Sequence, residues 1–404
     1  MHIALYSPAW PLQTNQNGIV TYVHWLRLEL LKRGHRVSVF SASVTGDSER
    51  GIYPVSAVPH TRLSLSWRRL LGKKPFPLSW GEDLAREVAK VHARDPIDVL
   101  EMEESFGWFQ ALILRRQFPV VVKLHGPAFL TLLDDDRESE AGKERILAEG
   151  IAFKHVVSLT APSRCTLAAT LARYDLAPAC QAHIVNPLKL APGAQLWSAS
   201  SARRNSLLFV GRFDKLKGGD QVLVAFKKLL KLRPDVRLVF VGPDNGLTIQ
   251  GGRRVHFSEF ANALLTDSER SRLEYLGAQA PDVVQRLRVE ASLTIVASRW
   301  ESQGYTALEA MLQGCPVVSS DTSGLSESIV HGQTGLLFKV DDVDDMVLKI
   351  CLLLDDPALG AGLGRSAREY VLRVHGLAQV VDQTLEVYRS ATAVFRGTGA
   401  LASV

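Results

Sequence analysis

Residues Ala297–Ser320 read ASRWESQGYTALEAMLQGCPVVSS. Gly304-Tyr305-Thr306 opens an Ala/Leu/Met-rich run that Gly314 and Pro316 close, so the stretch predicts a loop, a helix and then a buried strand over Pro316–Ser320. Two carboxylates, Glu301 and Glu309, stand eight positions apart, one just before the helix and one inside it. A helix start offers unpaired backbone N–H groups and the positive end of a dipole, which makes the amides around Gly304, Tyr305 and Thr306 a seat for phosphate. A carboxylate one turn further on accepts two hydrogen bonds from vicinal sugar hydroxyls. The pattern points to a phosphorylated sugar held by its charges and its hydroxyls.

Nine positions, Glu301, Gly304, Glu309, Ala310, Met311, Gly314 and Pro316 to Val318, resemble the Glu-x7-Glu signature of retaining glycosyltransferases with the GT-B fold, of the family 4 type. Gln303 stands where that signature usually has Phe. A lone pair of glutamates would more simply be a solvated helix face, but the glycines and the proline that match with them argue against that reading. The resemblance implies an α/β chain of two Rossmann-like domains facing a cleft, and sugar transfer with retained anomeric configuration.

Outward from this stretch, the second half repeats a β/α alternation: strand Leu207–Val210, loop, helix Gln221–Leu230 and strand Arg237–Val241. The loop Gly211-Arg212-Phe213-Asp214-Lys215-Leu216-Lys217-Gly218 resembles the G-R-L-x-x-x-K-G motif of the same family. Arg212 brings a planar fork of donors and Lys217 a point charge, a pair suited to clamping a diphosphate. Leu276-Gly277-Ala278-Gln279 resembles the strand and loop that border the nucleotide base; recognition there is mostly by backbone, so the base is poorly encoded. The polar run Asp321–Glu327 is expected to close the site, and Ala378–Tyr388 resembles the helix that crosses back to the first domain.

The first half opens with strand His2–Ser7, a loop with Asn15, Asn17 and Gly18, helix Val20–Arg33 and strand Arg36–Ser41. Gly18 alone does not make the G-x-G-x-x-G spacing, which disfavours an NAD or FAD site. In the resembling family a glycine loop here faces the donor diphosphate or the acceptor; an ordinary strand-to-helix turn explains Gly18 equally well. Strands Asp98–Met102 and Val120–Leu124 each end in polar residues, and ligands gather at such carboxyl ends, which puts Glu103, Glu104, His125 and Gly126 at the rim. By resemblance His125 contacts the transferred sugar, and Glu103 or Glu104 the acceptor. Asp134-Asp135-Asp136 fits the D-x-D metal motif of the other glycosyltransferase class but follows no clean strand and reads as a solvated acidic turn. Strands Val156–Ala161 and His183–Val185 complete this half, and the Pro/Gly/Ser/Ala-rich run Ala191–Asn205 reads as the interdomain linker. The expected domains are 1–188, with the 376–404 helix packing back on it, and 189–375.

The chain of 404 residues, 46% hydrophobic, is too long for one ordinary core. A net charge of +5 favours anionic substrates or a membrane surface, and no motif supports nucleic acid. Four scattered cysteines without a CxxC pair indicate neither zinc nor a disulfide framework. The first residues lack the basic start and apolar core of a signal peptide, and no run is long enough to span a membrane, so a cytoplasmic protein is expected. Arg62–Trp80, basic and aromatic, is either a solvated loop with a short helix or an attachment to anionic lipid at the inner face of the membrane.

These readings converge on transfer of a sugar from a nucleotide-diphosphate donor to a hydroxyl of a glycan or lipid-linked acceptor, in cell-envelope or polysaccharide assembly. Arg212, Lys217 and the amides of Tyr305 and Thr306 would act on the leaving diphosphate in place of a metal ion, so no cofactor is expected. Glu309 would hold the ribose, and Glu301 with His125 the transferred sugar. A GT-B-type epimerase or hydrolase, or a non-catalytic nucleotide-sugar-binding subunit, remains as the alternative.

Overall fold

The computed structural model describes residues 1–12, 17–46, 49–56, 76–190, 193–249 and 252–401. The chain forms two compact units: Met1–Leu132, Asp136–Pro187 and Leu377–Val404 make the first, and Leu133–Asp135 with Leu188–Gly376 the second.

Among the described residues of the first unit is a seven-stranded parallel sheet: β1 (His2–Ser7), β2 (Arg36–Ser41), β3 (Ile52–Pro54), β4 (Val99–Glu103), β5 (Val120–Lys123), β6 (Ser158–Ala161) and β7 (Cys180–His183). Its order is β3-β2-β1-β4-β5-β6-β7. All six residues of β1 and all five of β4 are buried, because helices cover both faces and leave no polar side to alternate with. On one face the helix Gly18–Lys32 and the last helix, Leu377–Leu401, pack Tyr22, Leu26, Val381, Leu385 and Tyr388 against Ile3, Leu5 and Val121. On the other, helices Phe76–Arg94, Phe109–Arg115 and Glu140–Phe153 bring Leu84, Val88, Phe109 and Phe153 onto Ala4, Leu100 and Val122.

The second unit has β8 (Ser206–Val210), β9 (Arg237–Val241), the small hairpin of β10 (Leu247–Thr248) and β11 (Arg254–Val255), then β12 (Leu273–Gly277), β13 (Leu293–Val296), β14 (Val317–Ser320) and β15 (Leu336–Phe338). Its parallel sheet runs β12-β9-β8-β13-β14-β15. Counted within each large sheet, the strand orders both begin 3-2-1-4-5-6. The order reverses between β1 and β4 in the first and between β8 and β13 in the second, the crevices where doubly wound sheets bind ligands.

Several expectations change. The helix expected from Val20 begins at Gly18, because the Asn17 side chain accepts the N–H of Ile19 and caps it. Asp134 to Asp136 lie in a short helix, Asp134–Glu138, not a turn. The strand expected over His183–Val185 is Cys180–His183. Of the run expected as the interdomain linker, Ala191–Asn205, the described residues 193–205 belong to the second unit: Trp197 N–H donates to Gln313 O, its indole N–H to Ala291 O at 2.8 Å, and Arg203 N–H to Glu290 O at 2.7 Å. A linker-like composition there hides an anchoring tryptophan. Most of Arg62–Trp80 lies outside the described residues; Trp80 itself is buried against Tyr6 and Trp108 and is not an interfacial side chain. No helix among the described residues is long and apolar enough to cross a membrane.

Candidate functional site

In the second unit two loops meet where β8 and β13 part. In the first, Asp214 accepts from the Lys217 N–H at 2.8 Å and from Arg212 Nε at 2.6 Å, which sets the turn that carries both cations. Gly218 ends the loop at φ 72°, and a Cβ there would lie 2.0 Å from the Ala297 carbonyl oxygen. Only glycine permits that approach. In the second loop Arg299 acts as a fastener. Its N–H donates to Leu216 O at 2.8 Å, and its guanidinium takes both oxygens of Asp220 at 2.9 and 2.8 Å and one of Asp341 at 2.8 Å. The fastened loops bring Lys217 Nζ to 2.5 Å from Glu301 Oε1, which Ser298 Oγ also donates to at 2.8 Å.

The helix Tyr305–Gln313 starts directly after this pair, with Gly304 at φ 82° as its cap. Its opening turn, including the amides of Tyr305 and Thr306, precedes any intrahelical acceptor. The run expected to close the site folds back as a short helix, Ser323–Ser328, with Ser323 Oγ bonded to both main-chain groups of Glu301 and Gly324 N–H donating to Glu301 O. Gln303, the departure from the usual Phe, is buried with its amide nitrogen 3.2 Å from His375 Nδ1. One turn along, Glu309 Oε2 lies 2.5 Å from Nη2 of the buried Arg288. Near β12, Gly277 O accepts from Gly242 N–H, Gln279 Nε2 donates to Leu276 O at 2.6 Å, and Ala278 is exposed.

In the first unit His125 follows β5. The Glu104 carboxylate accepts the N–H groups of His125 and Gly126 at 2.8 and 2.5 Å. Glu149, on the helix Glu140–Phe153, accepts from Ala128 N–H at 2.7 Å, Phe106 N–H at 3.3 Å and Arg145 Nε at 3.2 Å. Glu103 is bonded to Ser105 N–H. Burial pushes Glu104 up to about 8, helped by the charges of Glu103 and Glu149. Burial likewise pushes Glu149 up to about 7. Glu103 moves in the same direction for the same first cause. Arg145, whose Nε donates to Glu149, works against the rise there and at Glu103. Burial, and then the Lys123 ammonium, take the His125 imidazole down to about 3, so it is neutral.

Residues 17–187 match the family described as "Glycosyl transferase 4-like domain" and residues 198–370 that described as "Glycosyl transferases group 1". The chain belongs to the GT-B glycosyltransferases of the family 4 type. It is 25% identical over 414 residues to a D-inositol 3-phosphate glycosyltransferase of Pseudarthrobacter chlorophenolicus, covering 94% of this chain and 92% of that one. The enzyme of the same name from Nocardiopsis dassonvillei is 33% identical over 193 residues, 46% of this chain and 43% of the relative. In fold it is similar to a sucrose-phosphate synthase from Thermosynechococcus elongatus, with a TM-score of 0.77, 20% identity and coverage of 97% and 99%. It is also similar to Anabaena HepE, solved in complex with UDP-glucose, with a TM-score of 0.67, 17% identity and coverage of 96% and 100%.

Within this glycosyltransferase the structure brings Arg212, Lys217, Glu301, Gly304, Tyr305, Thr306 and Glu309 together around one switch point of the second unit. Two of them differ from expectation in state: Lys217 is paired with Glu301, and Glu309 with Arg288. Glu103 and Glu104 do not open onto a rim. They are 3% and 1% exposed, because the turn Ser105–Gly107 follows β4 at once and folds both carboxylates onto main-chain N–H groups. Gly18 sits exposed in the first turn of its helix. Sequence reasoning missed Arg288, Arg299 and Glu149. Arg299 lies inside the stretch read most closely, but nothing in its spacing distinguishes a half-buried fastener from a solvated arginine.

Proposed function

We propose that this glycosyltransferase moves a sugar from a nucleoside-diphosphate donor to an acceptor hydroxyl with retained configuration and without a metal ion. The observation that carries the reading is the Lys217–Glu301 contact at 2.5 Å, set beside a helix start at the β8/β13 switch point. In the proposed step the bond between the anomeric carbon and the β-phosphate oxygen breaks while the acceptor oxygen bonds that carbon from the same face. The acceptor's proton passes to the departing phosphate oxygen. Lys217, Arg212 and the amides of Tyr305 and Thr306 offset the charge that develops on the diphosphate. Glu301 orients Lys217 and accepts from a sugar hydroxyl, Glu309 accepts from the ribose, and neutral His125 offers the transferred sugar a hydrogen bond without charge. HepE's complex with UDP-glucose favours UDP as the nucleotide, and the relatives' name favours a phosphorylated cyclitol as a first acceptor.

The test is incubation with UDP-glucose or UDP-N-acetylglucosamine, with and without D-inositol 3-phosphate, in the presence of chelator. NMR of the anomeric proton reads product and configuration. An α-linked product in chelator supports the proposal. Inverted product, or activity that needs added magnesium or manganese, refutes retention or metal independence. Free sugar or epimer alone in every acceptor trial moves the assignment to a hydrolase or epimerase.

A further inference from the structure

The helix Tyr305–Gln313 has a second helix alongside it, Pro357–Val374, that meets both of its ends. At the far end a Cβ on Gly364 would lie 2.1 Å from Gly314 O, so only glycine permits the approach. Between the ends Ala367 and Val371 share one buried cluster with Ala307, Leu308 and Met311. At the near end the contact is polar. His375, which caps Pro357–Val374, places Nδ1 3.2 Å from the Gln303 amide nitrogen, so that the amide N–H donates and the imidazole accepts. Both residues are buried, at 3% exposure for Gln303 and 1% for His375.

Apolar packing along the two helices does not call for this bond. Gln303 stands where the Glu-x7-Glu signature usually has Phe, a side chain that offers the imidazole no strong donor, and an amide buried without a partner is destabilising. Its place in the chain shows what it holds. Gln303 lies between Glu301, which meets Lys217, and Gly304, the left-handed cap after which the unpaired amides of Tyr305 and Thr306 follow. Further bonds on this loop come from the closing helix Ser323–Ser328: Ser323 Oγ bonds both main-chain groups of Glu301, and Ser328 Oγ donates to Gln303 O at 3.4 Å. The Gln303 side chain ties the loop to a different element. That element is itself fixed, because His375 N–H donates to Val371 O at 2.8 Å and His375 O accepts from Leu188 N–H at 3.0 Å. Leu188 and Gly376 bound the long stretch of the second unit, so the residue that holds the loop also joins the two points where that stretch begins and ends.

We propose that Gln303 and His375 are positioning residues for the transfer: their buried bond fixes the loop Glu301–Gly304, and through it Glu301 and the amides of Tyr305 and Thr306, where the diphosphate departs. Neither side chain touches the donor. A misplacement of about 1 Å in groups that act on the reacting atoms is enough to cost roughly a hundredfold in rate. That these groups act on a diphosphate rests on the proposed sugar transfer; the tie between the loop and His375 does not.

The experiment compares Gln303→Met, His375→Leu, the double variant and His375→Asn in the whole protein. Each is read for melting temperature, for kcat and KM with the transferred UDP-sugar, and for amide hydrogen exchange over residues 302–312. Each single apolar change strands one buried polar partner and lowers the melting temperature, whereas the double variant removes both partners and recovers part of the loss. A bond that served stability alone would return kcat along with it. A positioning bond would not: kcat in the double variant should stay about tenfold below wild type with KM changed by less than about threefold, and exchange of the Tyr305 and Thr306 amides should quicken. Asparagine carries an acceptor oxygen where histidine has Nδ1, so His375→Asn should keep kcat and exchange near wild type. Wild-type kcat in the double variant, or the same loss in His375→Asn as in His375→Leu, overturns the proposal. Exchange reads the tie without turnover: if the wild type transfers no sugar, the transfer reading fails, while quickened exchange in the double variant still upholds the tie and unchanged exchange overturns it.

Discussion

Lys217 and Glu301, 84 positions apart in the chain, meet at 2.5 Å, and the meeting depends on Arg299 tying one loop to the other. A lysine in this state is not a loose cation waiting for phosphate. Its position is set before a ligand arrives, which is the condition under which a fixed charge lowers a barrier most.

The two side chains are therefore expected to act as one element. Lys217→Met and Glu301→Gln should each lower kcat by about a hundredfold or more, the scale of losing one preorganised group. The double variant should lose far less than the product of the two, because residues in direct contact couple. A double-mutant cycle on kcat with UDP-sugar saturating reads this directly, and multiplicative losses would show that the pair does not work together.

Arg288 is expected to set donor affinity without touching the donor. Arg288→Met frees Glu309 from its 2.5 Å contact and should weaken UDP binding by roughly tenfold, about 1.4 kcal/mol. The same change should leave the affinity for 2′-deoxy-UDP less affected. Glu309→Leu is a different case: it strands a buried guanidinium, and a loss of roughly 3–5 kcal/mol in stability is expected. Calorimetric titration and denaturant unfolding separate the two, and equal loss for both nucleotides would remove Glu309 from the ribose.

His125 gives a pH signature. Its folded value, near 3, lies below the ordinary 6.5, so the unfolded chain takes up a proton that the folded one refuses. Stability from this group is complete above 6.5 and is lost as pH falls from there toward 3, by at most about 1.4 kcal/mol per pH unit. His125→Asn, neutral throughout, should show a flatter stability-versus-pH curve in that window. Urea unfolding across it is the measurement; parallel curves for the two proteins would mean that the imidazole is not desolvated.

Gly218→Ala should damage the second unit beyond the cost of a left-handed alanine. That conformation alone costs about 1–2 kcal/mol, and the added Cβ would also meet the Ala297 carbonyl oxygen at 2.0 Å. Gly34→Ala is the control, with φ 79° and nothing within 4 Å of the added carbon. Thermal unfolding should rank Gly218→Ala well below Gly34→Ala; equal melting temperatures would deny the close approach of the two loops.

The sequence by itself determined the pieces whose signals are local. Apolar runs punctuated by glycine and proline specified two sets of alternating strands and helices, and Gly304 and Gly314 marked both ends of the helix Tyr305–Gln313. The resemblance across Ala297–Ser320 and Gly211–Gly218 named the residues that the fold gathers at one switch point. Only the tertiary structure decided what each charge does. Whether Lys217 is free or paired, whether Glu104 faces a ligand or the His125 N–H, and whether Arg288 is solvated or buried behind Glu309 depend on neighbours from distant parts of the chain. Periodicity reports which face of an element is apolar, and it carries no record of which remote partner a charged side chain will meet. The linker failed for the same reason: composition reads Ala191–Asn205 as loose, and the groove that receives Trp197 exists only once the second unit has folded.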